Sequence, residues 1–361
     1  MMDRKRTLLH AFSTFCVGGP QIRFCTLANR FGARYRHVIF AMDGCYECCD
    51  RLGHGVDVEI ADVLAKKPDT FGNRRRFRSY LKAHPPDLLV TYNWGSLEWA
   101  MANWPSLLLH VHVEDGFGPE EADRQLLRRV LTRRLVLSRS QVVVPSRTLE
   151  KIALNVWRLD PRRVRYIPNG VDCARFSAPS IVPFDWPGPG PIVGTVAALR
   201  PEKNLRRLLD AFRLVRSRFP CRLLISGDGP ERESLEAYAE ALGLGEHVRF
   251  TGHASEPERI YAGLDVFALS SDTEQMPITV IEAMAAGLPV AATDVGDISL
   301  MLSNANRPFM AWRNAGSLAD SILKLLHDSE LHAHVGAANR KAAEDRFDVR
   351  TMTEAYAQLF D

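Results

Sequence analysis

Short apolar runs alternate with longer amphipathic stretches almost throughout the chain. TLLHAFS, RHVIFAM, DLLVTYN, SLLLHVHV and QVVVPS fall in the first half, and PIVGTVAAL, CRLLISG, HVRFTG, DVFALS and LPVAATD in the second. Continuous apolar runs of strand length predict strands buried on both faces, and the amphipathic stretches between them predict covering helices. Two doubly wound α/β domains with parallel sheets, one after the other, are the natural assembly of that pattern. The first strand is expected over 7–13. The basic head before it mimics a secretory signal, but His10, Ser13 and Thr14 interrupt the apolar stretch and no small-x-small cleavage site follows. No run approaches the roughly 18–20 apolar residues of a membrane-spanning helix.

Between the two series, residues 167–195 read IPNGVDCARFSAPSIVPFDWPGPGPIVGT, rich in proline and glycine and without either period. This predicts an interdomain connection. The expected organisation is a first domain over 1–172, a linker and second domain over 173–341, and a closing helix over 342–361 that packs back toward the first domain.

Composition adds little until it is divided. The 361 residues are 46% hydrophobic and 25% charged, which excludes wholesale disorder. Through Gly170 there are 27 Lys+Arg against 17 Asp+Glu, and beyond it 19 against 26, so a half of net +10 precedes a half of net −7. A basic first half suits phosphates, an anionic substrate or an anionic membrane surface, or is a set of solvated faces. Nucleic acid is not expected, because no ladder of stacking aromatics accompanies the arginines. Seven cysteines, an odd number without a secretory signal, predict reduced thiols in a cytoplasm. Cys45-x-x-Cys48 lacks the second pair that a structural zinc site takes.

The most informative stretch is 271–298, SDTEQMPITVIEAMAAGLPVAATDVGDI. Pro277 suits a first helical turn, so a helix begins near it, and its unpaired N–H groups with the macrodipole form an anion site fit for a diphosphate. Glu282, a turn inside, is too close to that site to be a phosphate ligand and suits the paired hydroxyls of a ribose. Glu274 faces what lies beyond the phosphates. The alternative is a capping residue and a surface helix glutamate. Arg200 and Lys203 stand where a strand's end delivers ligand contacts. Gly227-Asp228-Gly229 allows close approach of backbone to a ligand, yet fails as a dinucleotide fingerprint because Arg232 replaces the third glycine. In the first half, Gly18-Gly19-Pro20 follows the first strand and opens a helix. His110 and His112 alternate on one face of a strand, and Glu114, Asp115 and Gly116 follow it. His112, nearest the strand's end, is the site candidate; a histidine packed in the sheet is the alternative. No Asp-x-Asp occurs, so neither a divalent metal on the diphosphate nor any cofactor is expected.

Taken in order, these residues resemble the retaining glycosyltransferases of the GT-B fold, family 4, of bacterial polysaccharide and glycolipid assembly. The resemblance rests on Arg-Pro-Glu-Lys-Asn, Gly-Asp-Gly-Pro, Phe-Thr-Gly and the Glu274/Glu282 pair between 194 and 298, with Ile-Pro-Asn-Gly-Val-Asp at 167–172. It implies two Rossmann-like domains facing a central cleft, in which Glu282 binds the ribose, Glu274 meets the donor sugar, and Gln275, Met276, Pro277, Ile278 and Thr279 hold sugar and diphosphate. Lys203 matches the diphosphate lysine, His112 a histidine that approaches the sugar, and Gly18 and Gly19 the N-terminal glycine pair; Gly227 and Gly252 join the donor set. The arginine usual earlier in the Lys203 loop is replaced by Ala197-Ala198-Leu199, with Arg200 in a shifted position. Asn93, Trp94, Glu114 and Asp115 are the acceptor candidates. The implied reaction moves a sugar from a nucleotide sugar, UDP-linked by family frequency, to a glycan or lipid-linked saccharide, with retention, domain closure and no protein nucleophile. The basic stretches 73–82 and 124–139, which interleave arginine with Phe77, Tyr80, Leu81, Leu126, Leu127 and Leu131, would rest on the anionic inner face of the cytoplasmic membrane if the acceptor is lipid-linked; solvated core-packing helices account for them equally. A nucleotide-sugar 2-epimerase and a non-enzymatic nucleotide-sugar-binding protein are the alternatives to a transferase.

Overall fold

A computed structural model describes residues 4–66, 68–117, 121, 125–177, 186 and 190–361. The chain divides into two units, Met1–Pro168 with Thr353–Asp361, and Asn169–Met352. The expected connection therefore falls partly outside the described residues, at 178–185 and 187–189.

Unit 1 is built on seven parallel strands: β1 (Arg6–Phe12), β2 (Tyr35–Ala41), β3 (Asp57–Ile60), β4 (Leu88–Tyr92), β5 (His110–Val113), β6 (Gln141–Val144) and β7 (Val164–Tyr166). Their order across the sheet is β3-β2-β1-β4-β5-β6-β7. Unit 2 holds six: β8 (Ile192–Val196), β9 (Arg222–Ser226), β10 (Val248–Gly252), β11 (Val266–Leu269), β12 (Val290–Thr293) and β13 (Met310–Ala311), ordered β10-β9-β8-β11-β12-β13. Every pairing is parallel. In both sheets the strand order reverses once, between β1 and β4 and between β8 and β11. At such a switch point the loops leave in opposite directions and open a crevice beyond the strands' carboxyl ends.

All but one of the apolar runs become inner strands covered on both faces; HVRFTG becomes β10 at the sheet's edge, with Arg249 and Phe250 half-buried and Thr251 exposed. In β9, Leu223 and Ile225 pack against the helices Leu205–Arg216, Arg232–Ala241 and Ala315–His327, while Leu224 joins the core of the helices Pro257–Ala262 and Ile278–Ala285. β11 alternates in the same way, Val266 and Ala268 against Phe267 and Leu269. β3, β7 and β13 have no such run: β3 lies at the sheet's edge with Val58 and Ile60 exposed. The single terminal helix expected over 342–361 is two, Ser329–Phe347 and Val349–Phe360. Asp348 divides them, its carboxylate accepting from Arg350 N, while Val349 N donates to Val171 O.

The expectation of uniformly reduced thiols fails at Cys16 and Cys45, which form a disulfide. Parallel neighbours β1 and β2 release their chains side by side, which brings the two Cα atoms to 5.7 Å.

Candidate functional site

The loops at the switch point of unit 2 gather the charges that the sequence singles out. The loop after β8 carries Lys203 and the loop after β11 carries Glu274, and Lys203 Nζ donates to Glu274 Oε1 at 2.5 Å. Ser271 Oγ donates to the same oxygen at 2.8 Å. Both charged side chains are partly open, 23% and 9% exposed, so the pair is accessible to a ligand. Its placement is over-determined. Ser270 Oγ donates to Lys203 O, Asp272 N to Glu202 O, and Arg207 ties both Ser270 O and Asp272, whose other oxygen accepts from Asn204. None of Ser271, Asp272, Asn204 or Arg207 belongs to the predicted set. Arg200 is exposed and makes no side-chain hydrogen bond or ion pair with the described residues.

The loop from Glu274 runs into the helix Ile278–Ala285, of which Pro277 is the N-cap rather than the first helical residue. No side chain caps this end and no carboxylate lies in its first turn, so the amides of Ile278 and Thr279 and the positive end of the dipole are left for an anion. Met276 is buried, its carbonyl accepting from Asn169 Nδ2 at 2.9 Å. Gln275 O accepts from Asp297 N. Gly296 sits at φ 58°, where a Cβ would stand 2.2 Å from Glu274 O, so only glycine lets the loop after β12 brace this turn.

Glu282 is half-buried, and its Oε2 accepts a 2.7 Å hydrogen bond from Tyr261, a partner with no signal in the sequence pattern. Burial pushes its carboxyl up to about 7, opposed by the Tyr261 hydrogen bond and by Arg175, and reinforced by Glu258. The carboxylate sits about one turn inside the helix with the uncapped start. Glu282 is therefore neither a capping group nor a solvated surface residue.

Gly227 and Gly229 have a different use from the one expected. At Gly227, with φ 140°, a Cβ would lie 1.8 Å from Ala197 O, and at Gly229 one would lie 2.5 Å from Leu199 O. These glycines admit the protein's own loop after β8, closed by Leu199 N donating to Asp228 O at 2.9 Å. Gly252, at φ 73°, accepts from Gly227 N and is part of the same backbone junction.

Unit 1 treats its charges differently. The helix Gly19–Phe31 starts as expected at the Gly18-Gly19 turn, with nothing within 4 Å of the position a Cβ of Gly19 would take. His112 is wholly buried, with Nδ1 2.8 Å from Thr91 Oγ1 and Nε2 left without a hydrogen-bond partner, 3.5 Å from Glu114. His110 binds the same Thr91 and Ser140. Glu114 is also wholly buried and accepts from Arg133 Nε at 3.2 Å. Asp115 forms a two-point pair with buried Arg23, Nη2 to Oδ2 at 2.9 Å. Asn93, at φ 56°, accepts the Asp115 N–H, and Trp94 lies under the guanidinium groups of Arg129 and Arg133. Glu114 and Asp115 each hold an ion pair within the unit, while Glu114 Oε1 has no hydrogen-bond partner among the described residues. Part of the stretch that carries them, 118–120 and 122, lies outside the described residues.

The two basic stretches also separate. In the helix Thr70–Ala83, Asn73, Phe77 and Leu81 are buried, so its apolar face is core. In the helix Leu127–Val136 it is Arg133 and Val136 that are buried, while Leu127, Leu131 and Leu135 are 72%, 55% and 54% exposed. Arg124 lies outside the described residues.

Two doubly wound parallel sheets, the second with a charged pair and an uncapped helix at its switch point, define the GT-B class of glycosyltransferase architecture. A family model described as Glycosyltransferase Family 4 matches residues 17–175, and one described as Glycosyl transferases group 1 matches residues 181–342. The chain belongs to the family 4 glycosyltransferases of the GT-B fold. Among curated proteins it is 28% identical over 212 residues to a lipopolysaccharide core biosynthesis glycosyltransferase of Rhizobium meliloti, covering 58% of this chain and 60% of that protein. It is 31% identical over 203 residues to a GDP-mannose-dependent phosphatidylinositol monomannoside mannosyltransferase of Mycobacterium tuberculosis, covering 51% and 53%. The chain spans about half the length of the curated relatives it matches. Among solved structures, a glycosyltransferase from Rickettsia africae aligns with a TM-score of 0.82 at 17% identity, covering 99% of this chain and 98% of that one. HepE of Anabaena, solved in complex with UDP, aligns at 0.81 and 19%, covering 98% and 99%.

Proposed function

We propose that the protein is a hexosyltransferase that takes a sugar from a nucleoside diphosphate sugar, UDP-linked by default, and passes it to a lipid-linked or glycan acceptor in polysaccharide or glycolipid synthesis, in the cytoplasm and with retention. The observation that carries the reading is the Lys203–Glu274 pair held at the unit 2 switch point, beside an uncapped helix start and ahead of Glu282. Each element matches one part of the donor. The diphosphate draws Lys203 away from Glu274 and lies against the amides of Ile278 and Thr279. Glu274, released, accepts from sugar hydroxyls, and Glu282 accepts from the ribose. As the glycosidic bond breaks, charge grows on the departing phosphate, where Lys203, the helix end and exposed Arg200 stabilise it without a divalent metal. A departing phosphate oxygen takes the acceptor hydroxyl's proton on the same face, which retains the configuration and requires no nucleophilic carboxylate.

The relatives named for lipopolysaccharide core and phosphatidylinositol mannoside synthesis support a lipid-linked acceptor. So does the stripe of Leu127, Leu131 and Leu135 flanked by exposed Arg128, Arg134 and Arg139, which has the chemistry of a face laid on an anionic bilayer. Sedimentation with anionic and neutral liposomes tests it: salt-sensitive binding to anionic vesicles, lost in Leu131→Glu, is expected, and equal indifference to both vesicles removes the membrane contact. For the donor, calorimetry against UDP- and GDP-sugars, followed by turnover and NMR of the product's anomeric centre, tests base, sugar and stereochemistry together. Binding that survives Lys203→Ala and Glu282→Gln unchanged would overturn the assignment. A changed sugar ring without transfer would make the enzyme an epimerase.

A further inference from the structure

We propose that Cys16 and Cys45 are a reversible redox pair that sets the Gly18-Gly19 turn, and with it the enzyme's affinity for its donor. The effect on the donor rests on the reading of that turn as a donor contact; the redox pair itself does not. Cys16 lies two residues before Gly18, on the segment that leaves β1, and Cys45 lies in the loop that leaves β2. Both are half-buried, within reach of small thiols and disulfides. The two loops are also joined by backbone bonds, Phe15 N to Cys45 O at 3.1 Å and Cys48 N to Phe15 O at 2.9 Å, so they stay together when the sulfurs part. Those bonds end at Phe15. Past it the chain runs through Cys16, exposed Val17, Gly18 and the open Gly19 into a helix whose Gln21 Nε2 donates back to Thr14 O, and the sulfur bond is the covalent tie from this stretch to the β2 loop.

The neighbouring thiols show the contrast. Cys25 and Cys48 bring their sulfurs to 3.6 Å, but both are buried, and the Cys25 thiol donates to Cys48 O. Buried thiols without solvent access are inert, and exposed ones exchange. A metal is a poorer occupant than a bond: with Cys16 and Cys45 reduced, Glu47 adds one carboxylate within 4.8 Å, which makes three ligands where a structural zinc takes four.

The chemistry balances with oxidised and reduced glutathione. One protein thiolate attacks the glutathione disulfide, releasing a first glutathione thiolate and leaving a mixed disulfide. The second protein thiolate attacks the protein sulfur of that mixed disulfide and expels a second glutathione, so that two electrons and two protons pass from the protein to glutathione. Reduction by a dithiol reverses both steps and frees the turn.

The full chain, equilibrated in glutathione buffers of graded ratio and then alkylated and digested, should show Cys16 linked to Cys45 at the oxidising end and both alkylated at the reducing end. Cys25 and Cys48 should react only after denaturation. On reduction the KM for the donor should rise by about three- to tenfold, because a contact turn has lost its fixed position. Far-UV circular dichroism should not change, and Cys16→Ser with Cys45→Ser should show the reduced KM in both buffers. Free Cys16 and Cys45 throughout the series would overturn the pair. An unchanged KM, with Gly19→Val still damaging turnover, would overturn the switch while leaving the turn's role intact. A KM that follows the redox state while Gly19→Val is silent would instead refute the reading of the turn and keep the switch.

Discussion

The two units share a topology and put charge at the carboxyl ends of their strands, yet they handle that charge in opposite ways. In unit 1, Glu114, Arg133 and Glu121 are at most 2% exposed, with Arg133 packed among Trp94, Phe117 and Trp157 and bonded to both carboxylates. In unit 2, Lys203 and Glu274 keep an open side and have few partners besides each other. Glu114 and Glu121 of unit 1 are buried in pairs with arginine, with Glu114 Oε1 left without a hydrogen-bond partner among the described residues, whereas a half-open pair of opposite charges can be divided by a ligand that carries both a phosphate and hydroxyls. The proposed function thus rests on charge that is conditionally paired, and the architecture of unit 1 on charge that is buried in pairs.

The largest test breaks the unit 1 network. Arg133→Ala leaves Glu114 buried without its arginine and Glu121 with Arg129 alone, which should cost about 3–5 kcal/mol in urea denaturation, as removal of one partner from a buried pair does. A loss below about 1 kcal/mol, the range of surface pairs, would erase the contrast between the units.

Next comes the conditional pair. Lys203→Ala should lower turnover by about 10²- to 10³-fold, the usual cost of one missing donor to developing negative charge, with Tm nearly unchanged. Glu274→Gln should also lose turnover, but it should bind the nucleoside diphosphate product a few-fold tighter, since Lys203 no longer has an internal partner to leave. Calorimetry with UDP and UMP separates the effects, because only the diphosphate reaches Lys203. Weaker UDP binding by Glu274→Gln would show that the carboxylate is not a placeholder for the phosphate.

Acid should then move the two units in opposite directions. Burial holds His37 down to about 4 and His10 well below its ordinary value, so as the pH falls below 6.5 the unfolded chain takes up protons first and unit 1 loses stability. Glu282, pushed up from 4.5 to about 7, takes its proton first in the folded state, so unit 2 gains stability as the pH falls through that window. The expected changes between pH 7.5 and 5.5 are roughly 1–2 kcal/mol for His37, with His10 adding in the same direction, and, discounted for partial exposure, about 1–2 kcal/mol for Glu282. Peptide-resolved hydrogen exchange, corrected for intrinsic rates, should show protection between pH 7.5 and 5.5 falling in unit 1 and rising in unit 2.

The sequence makes legible whatever depends on local pattern. Ten strands announce themselves as apolar runs, all but β10 because both their faces are covered, and the helix start at Gly19 is written in its glycines. β3, β7 and β13 are short or at an edge and bury too little to leave a signature. Lys203 and Glu274 are visible as types and positions, but not their contact, which depends on β8 and β11 being neighbours across the switch point. Tyr261 is invisible for the same reason. Gly227 and Gly229 show that something comes close without showing what, and in the structure the loop from Ala197 to Leu199 does. Leu127 and Leu131 fit a membrane face or a core stripe equally in the sequence, and it is the burial of Arg133 and Val136 on the other face that shows them, with Leu135, turned outward.

The finest test uses the titration of Glu282 as a reporter of the ribose. With a resting value of about 7, the carboxyl is partly protonated near neutrality. Ribose hydroxyls that donate to it stabilise the charged form, so binding should lower its pKa and release about half a proton at pH 7. The heat of UDP binding should then differ between phosphate and Tris buffers, which take up protons with different enthalpies, and affinity should rise only a few-fold from pH 6 to pH 8. Glu282→Gln should abolish the buffer dependence. Tyr261→Phe should enlarge it, because the tyrosine hydroxyl helps keep the resting carboxyl ionised and its loss leaves more proton to release. If the wild-type heat is the same in both buffers, the ribose does not meet Glu282, and the buried carboxyl of unit 2 becomes as permanently engaged as those of unit 1.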